Sequence, residues 1–511
     1  MASCFHVGDP ESCLVGNPEK AVLRGELVPS GRRLVRLPPG DLEVEGNPAL
    51  GKIFMRKLAQ VFSHNMIRVG WVLLALLLFF AGGYYIVSIE TEDAVRVLQL
   101  AGFVLLALLI LRHPYWGIVM IIASLPMLDI LPSIPFGSSV VSLLGGVTLG
   151  AFFVPRLLRR GGDIRWGVGL VWGALFIFWI IASHPSAALL PGSDDRTWAF
   201  TFVQLWLLAW LAAQLLDTPD KHRHLIWVFS IAVLVSAVYA LTQGQIGESL
   251  RESERAAGLA GGSNTAARYF VVGMVFLNYL RITTPKPFLR LSLLLGFGIL
   301  LFATLYTVSR TGLLLLIAAF GLFLVQRQGG RRQIQAFLLL LAAFMLVWFF
   351  ADNILLIMGT VFTSVREGSD TVGLRYNLWT AGWRMWLDHP LQGVGIGQYV
   401  ERLASYGSDL LPVHRLRLGA HNMYIQVLSE TGLVGIILFV AMFLASLREL
   451  WRLGRSGQVA TASLAQTWLA VLILMLLGGL TKHDHYDKLI WIAVGLSVGR
   501  FGRLARPDEG Q

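Results

Sequence analysis

The sequence predicts an all-α polytopic membrane protein with about 12–14 transmembrane helices and one long external loop. Three observations carry that prediction. The 511 residues are 55% hydrophobic and 14% charged, with a mean hydropathy of +0.64. Apolar runs of about 15–25 residues, bounded by charge, recur along most of the chain. Such runs must be helical, because lipid supplies no water to satisfy an open backbone. One polar stretch, Thr360–Asn422, interrupts them.

Residues 1–66 mix Pro, Gly and both charge signs with little periodicity, and read as a largely disordered tail. They are too polar for a cleaved signal peptide. The two cysteines, Cys4 and Cys13, both lie there, so no disulfide or cysteine metal site is expected. Residues 67–263 form an N-terminal bundle, with spans expected at Val69–Ser88, Val97–Leu111, Tyr115–Leu131, Ser139–Val154, Gly167–Ser183, Trp198–Leu216 and Leu225–Leu241. Residues 264–447 hold spans at Asn264–Leu280, Leu291–Val308, Gly312–Val325, Ile334–Met358 and Tyr424–Leu447, with the external loop 360–422 between the last two. Residues 448–511 add a hairpin, Ala462–Leu480 and Leu489–Val498, and a basic tail.

Connector charge orients these spans. Arg156, Arg159, Arg160 and Arg165, then Lys221 and Arg223, then Arg281, Lys286 and Arg290, fall on one side. Arg448, Arg452 and Arg455 join them, with both termini. That side is cytoplasmic by the positive-inside rule. The formal charge of +11 is mostly this topogenic excess and implies no nucleic-acid partner. The loop 360–422, Arg251 and Arg255, Arg310, and Lys482 and Lys488 then face outward, where topology does not require cations. An anionic ligand at the outer face is the simplest reason for them.

Five pieces of this outer face are candidates to carry chemistry. In Gly373–Asp388, helical spacing places Arg375, Trp379, Gly382, Trp383 and Trp386 on one face. That fits an amphipathic interfacial helix with a snorkelling arginine, or one aiming Arg375 at a ligand. Pro390–Tyr399 has glycines at 393, 395 and 397, which permit tight turns and close backbone approach without the spacing of a dinucleotide fingerprint. His421 opens a span, with Asn422 beside it and Gln426 and Glu430 farther along; it is an interfacial residue or a base for a hydroxyl. Ser309-Arg310 joins two spans almost without a loop, which holds Arg310 rigidly enough to grip a phosphate, or leaves it as a turn residue. In the last outer hairpin, His483, Asp484, His485 and Asp487 have metal-ligand chemistry, but adjacent residues rarely face one centre, so a solvated or acceptor-facing loop is the expectation.

Together these pieces resemble the O-antigen ligase and polymerase family. The likeness lies in Ser309-Arg310, Arg375 with Trp379, Pro390 to Gly397, His421-Asn422, and Glu430 to Gly435, in that order across one outer loop. It covers about Asn264 to Val440. The resemblance implies a metal-independent, inverting glycosyltransferase of the GT-C type without cofactor, in the bacterial inner membrane, with loop 360–422 periplasmic. It implies an undecaprenyl-diphosphate-linked glycan as donor and an acceptor glycan, or lipid A-core, as acceptor. It implies His421 as catalytic base and Arg310 and Arg375 on the diphosphate. Arg255, Trp379, Trp383, Asn422, Glu430, Lys482 and His483 are further candidates for substrate or acceptor contact. The ending Asp487-Lys-Leu-Ile-Trp491 is similar to exopolysaccharide polymerases more than to lipid A-core ligases. A flippase and a chain-length regulator are the partners such a polymerase implies. A protein oligosaccharyltransferase and a lipid-linked glycan transporter are the alternatives. Transport is disfavoured because charges cluster at span ends rather than at the midplane.

Overall fold

The computed structural model describes residues 91–130, 140–159, 164–184, 194–243, 257–325 and 371–498. The tail 1–66, the expected spans at 69–88 and 334–358, the loop containing Arg251 and Arg255, and the basic C-terminal tail lie outside the described residues. Among the described residues there are fourteen α-helices and no strand. Five of the helices are long and apolar enough to cross a membrane. The protein is an all-α polytopic membrane protein.

The helices are α1 (Thr91–Arg112), α2 (Tyr115–Ser124), α3 (Val140–Arg159), α4 (Val168–Ser183), α5 (Asp194–Leu215), α6 (Pro219–Gln243) and α7 (Ser263–Thr283). They continue as α8 (Pro287–Tyr306), α9 (Arg310–Val325), α10 (Thr371–Asp388), α11 (Gln398–Gly407), α12 (Met423–Leu453), α13 (Val459–Gly478) and α14 (Lys488–Leu496). Exposed side chains on α4, α8 and α9 are large and apolar: Phe178, Leu295, Leu314 and Ile317. Water would penalise such faces, whereas lipid does not.

Two helices sit inside the bundle. α7 is buried along nearly its whole length and packs on α6, α8, α9 and α13. α14 is buried from Leu489 to Leu496 and packs chiefly on α5. At nine residues it is about 14 Å long, short of a hydrocarbon core of about 30 Å. The expected span Tyr115–Leu131 is also shorter as an α-helix, because it passes at Leu125 into a 3-10 segment kinked at Met127.

α10 and α11 form a small unit of their own against α12. Its core is Leu378, Ala381, Met385, Val394, Tyr399, Leu403, Leu411 and Ala420. The loop helix is therefore present, but its inward face is aliphatic. The aromatic stripe expected from spacing lies toward its rim, with Trp383 47% exposed and ring-to-ring with Trp386 at 4.6 Å. Packing on α11 and α12 selects the smaller side chains: a Cβ at Gly382 would press on Ile425 and Tyr399.

Candidate functional site

His421 sits where the outer loop enters α12, in a left-handed backbone conformation (φ 49°) that non-glycine residues adopt only when surroundings enforce it. Several bonds do the enforcing. Asn422 caps α12, its side chain accepting from Tyr424 N at 2.9 Å and Ile425 N at 3.1 Å. Trp379 of α10 donates its indole N–H to Ala420 O at 3.0 Å. Ala420 N donates to Gln426 Oε1 at 3.2 Å. Arg375 lies one helical turn before Trp379 and is partly exposed.

The glycine stretch approaches the chain itself. α12 breaks at Gly432 (φ 68°, ψ −169°), which frees backbone groups on both sides of the break. Residues 390–395 satisfy them. Val394 N donates to Ser429 O (2.9 Å) and Gly395 N to Glu430 O (3.0 Å), while Leu433 N donates to Pro390 O (2.8 Å). A Cβ at Gly393 (φ 73°) would overlap the Glu430–Thr431 peptide, and one at Gly432 would overlap Leu391. Glu430 is buried in the same clamp, its Oε1 accepting from Tyr399 N (3.3 Å) and Gln426 Nε2 (3.1 Å). Burial and the Glu430 charge hold the Tyr399 phenol well above its usual range.

Arg310 is the first residue of α9. Ser309 caps that helix, accepting from Gly312 N at 3.1 Å and donating to Asn264 Oδ1 at 2.7 Å. Its neighbour Arg310 is exposed and makes no hydrogen bond or ion pair among the described residues. The turn between α13 and α14, residues 479–487, ties this corner to His421. Gly479 O accepts from Met423 N at 2.7 Å, and Thr481 Oγ1 accepts from Thr311 Oγ1 at 2.8 Å. Lys482 donates to Thr265 Oγ1 and lies 3.5 Å from Asp484. The His483 ring meets the His421 ring edge-on, with centroids 5.3 Å apart, and covers Gly419.

Residues 295–440 match the protein-family model described as O-Antigen ligase. The chain carries an O-antigen ligase domain. No curated protein matches it significantly. The matched domain runs from α8 through the first half of α12 and contains Arg310, Arg375, His421 and Glu430. That region is therefore similar to O-antigen ligases, the family that the motifs of the outer loop resemble.

The matched region is bonded to residues outside its own limits. The hairpin 479–487 is anchored by Arg268 of α7, whose guanidinium is 2% exposed. It pairs with Asp484, and with Asp487 Oδ2 at 3.3 Å; the Tyr269 hydroxyl donates to Asp487 Oδ2 at 2.9 Å. His485 stacks on Phe202 (5.6 Å, 9°), and its carbonyl accepts from Trp491 Nε1. The carboxylates and histidines of this run thus point to different partners rather than to one centre. Burial, with the neighbouring His421 and Lys482, lowers His483 to about 4. Burial and His483 lower His485 to about 3, and burial and Arg268 lower Lys482 to about 8.

Of the residues singled out from the sequence, His421, Asn422, Lys482, His483 and Arg310 gather around this hairpin, with Trp379 and Arg375 on the adjoining helix. Asn422, Trp379 and Glu430 make internal bonds, and Trp383 lies out on the surface of α10. Arg255 is outside the described residues. Arg268 was missed, although the signal was legible: an arginine inside the apolar run Ala266-Ala267-Arg268-Tyr269-Phe270 needs a buried partner.

Proposed function

We propose that the chain is a polymerase of surface polysaccharide. It takes a glycan from an undecaprenyl-diphosphate donor at the periplasmic face of the bacterial inner membrane. It passes that glycan to a hydroxyl of a second lipid-linked glycan. The observation that supports this reading is the hairpin 479–487, which bonds on one side to the helix carrying Arg310 and on the other to the helix entered by His421.

In this mechanism His421 takes the proton from the acceptor hydroxyl as its oxygen attacks the anomeric carbon. The bond from that carbon to the diphosphate oxygen breaks on the opposite face, so the configuration inverts and undecaprenyl diphosphate leaves. Arg310 and Arg375 hold the diphosphate and offset its growing charge, so no metal is required. Lys482 and His483 line the acceptor side, while Trp379, Asn422 and Glu430 hold His421 and the loop in place. Both termini are cytoplasmic, and a flippase and a chain-length regulator serve the same reaction sequence. Transfer to lipid A-core is the second reading, favoured by the description of the matching family as a ligase.

The test uses purified protein and lipid-linked repeat units alone. A polymerase lengthens them; a ligase leaves them unchanged until lipid A-core is added. His421→Ala lowers turnover by about 10²–10⁴-fold. Arg310→Ala and Arg375→Ala each lower it by roughly 10²–10³-fold. Normal polysaccharide from all three variants in a strain lacking the native gene refutes the assignment.

A further inference from the structure

Beside the hairpin, a cavity of about 430 Å³ lies between α2, α3 and α5. Its walls are mostly aliphatic, with Leu149, Leu207 and Leu211 among them, and Tyr486 and Lys488 close one end. The most polar part of the wall is largely self-satisfied, since the Ser142 hydroxyl donates to Gln204 Oε1 at 3.4 Å. From Phe200 to Leu211 along α5 the cavity is about 16 Å deep, by the helical rise. That is close to one leaflet of a bilayer whose hydrocarbon core is about 30 Å thick.

Lys488 is the unusual wall residue. It is partly buried at the mouth of an apolar space and makes no hydrogen bond or ion pair among the described residues. Its neighbour Asp487 is already committed to Arg268, Tyr269 and Leu489 N. An ammonium so placed is complementary to an anionic headgroup whose chain enters the cavity. The cavity also adjoins the candidate site: the Tyr486 ring, in its wall, lies 6.1 Å from the His483 ring, which meets His421.

We propose that this cavity holds the hydrocarbon chain of an anionic isoprenoid lipid, with Lys488 against its phosphate. The isoprenoid identity rests on the proposed function; the placement rests on the cavity and on Lys488. Such a lipid arrives either as the donor held by Arg310 or as a second lipid carrying the acceptor glycan.

Binding is read by native mass spectrometry of the full-length protein in detergent. The probes are undecaprenyl diphosphate, the neutral alcohol undecaprenol, and phosphatidylglycerol. A Cβ at Gly145 or Gly146, both in the wall, meets nothing within 4 Å, so Gly145→Phe and Gly146→Phe are the variants chosen to fill the cavity. Either change lowers binding of both isoprenoids at least tenfold at an unchanged thermal midpoint. Lys488→Met lowers binding of the diphosphate tenfold and leaves that of the alcohol within twofold. Loss of diphosphate binding in Arg310→Ala as well identifies the lipid as the donor; retention there identifies a second lipid. Wild-type diphosphate binding by Gly145→Phe, Gly146→Phe and Lys488→Met overturns the proposal, as does equal binding of phosphatidylglycerol. No turnover enters this readout, so lost activity with intact binding counts against the proposed function alone.

Discussion

Replacing Arg268 by Met tests whether the hairpin 479–487 is held by charge. The substitution keeps an unbranched side chain of similar reach and removes only the guanidinium. Asp484 and Asp487, 3% and 5% exposed, then lose their shared counter-ion. Removing one partner of a buried pair costs about 3–5 kcal/mol, because the other charge stays desolvated. Two carboxylates depend on Arg268, but Lys482 remains 3.5 Å from Asp484, so the expected loss stays in that range rather than doubling. It is read by denaturant titration in mixed micelles, following the fluorescence of the buried Trp468 and Trp491. The triple variant Arg268→Met, Asp484→Asn, Asp487→Asn leaves none of these three positions charged and recovers at least half of the loss. A single variant within about 1 kcal/mol of the parent, or a triple variant no more stable than the single, refutes the reasoning.

Three further outcomes follow from the same geometry. Gly393→Ala forces a Cβ into the Glu430–Thr431 peptide at φ 73° and destabilises the α12 clamp by more than about 1–3 kcal/mol; Gly457→Ala, where a Cβ meets nothing, stays within about 0.5 kcal/mol in the same titration. Asn422→Ala removes the acceptor for Tyr424 N and Ile425 N and costs about 1 kcal/mol, with faster proteolysis of the 408–422 segment as a second readout. His483 is held at about 4 against an ordinary 6.5, so as pH falls the unfolded chain takes up its proton first. Stability therefore declines between about pH 6.5 and 4, and His483→Phe flattens that slope in unfolding titrations.

Hydropathy made the described spans legible because a span is a local property: length and composition decide it within about twenty residues. The Ser309-Arg310 turn and the helix start at His421 were legible for the same reason, being junctions between such runs. The clamp of 390–395 on the break at Gly432 was not. Its hydropathy runs on unbroken through Val434 and Ile436, and the pairing joins segments far apart in sequence. The glycines signalled close backbone approach, yet nothing local says whether a ligand or another strand of chain is approached. The inward face of α10 was not legible for a related reason. Spacing grouped its tryptophans, whereas the small residues Ala381 and Gly382 are what let α10 sit against α12. Arg268 and Asp487, 219 positions apart, were each visible as charges in odd places, and only the fold pairs them.

The pairing of Arg268 bears on what the hairpin corner can attract. Four helices begin there: α7, whose Asn264 and Thr265 bond to Ser309 and Lys482; α9 at Arg310; α12 at Met423; and α14 at Lys488. Each start carries the positive end of its peptide dipoles, about half an elementary charge, and Ser309, Asn422 and Asp487 satisfy only part of the N–H groups at three of them. Carboxylates at those starts would normally offset it. Here Asp484 and Asp487 are buried and neutralised by Arg268, so they contribute little field outward. Arg310, exposed and uncommitted to any described partner, adds to the backbone charge instead. A corner built this way favours a multiply charged anion over a neutral or cationic solute. That preference comes from the helix starts and one buried counter-ion, and the cations Arg310 and Lys488 add to it.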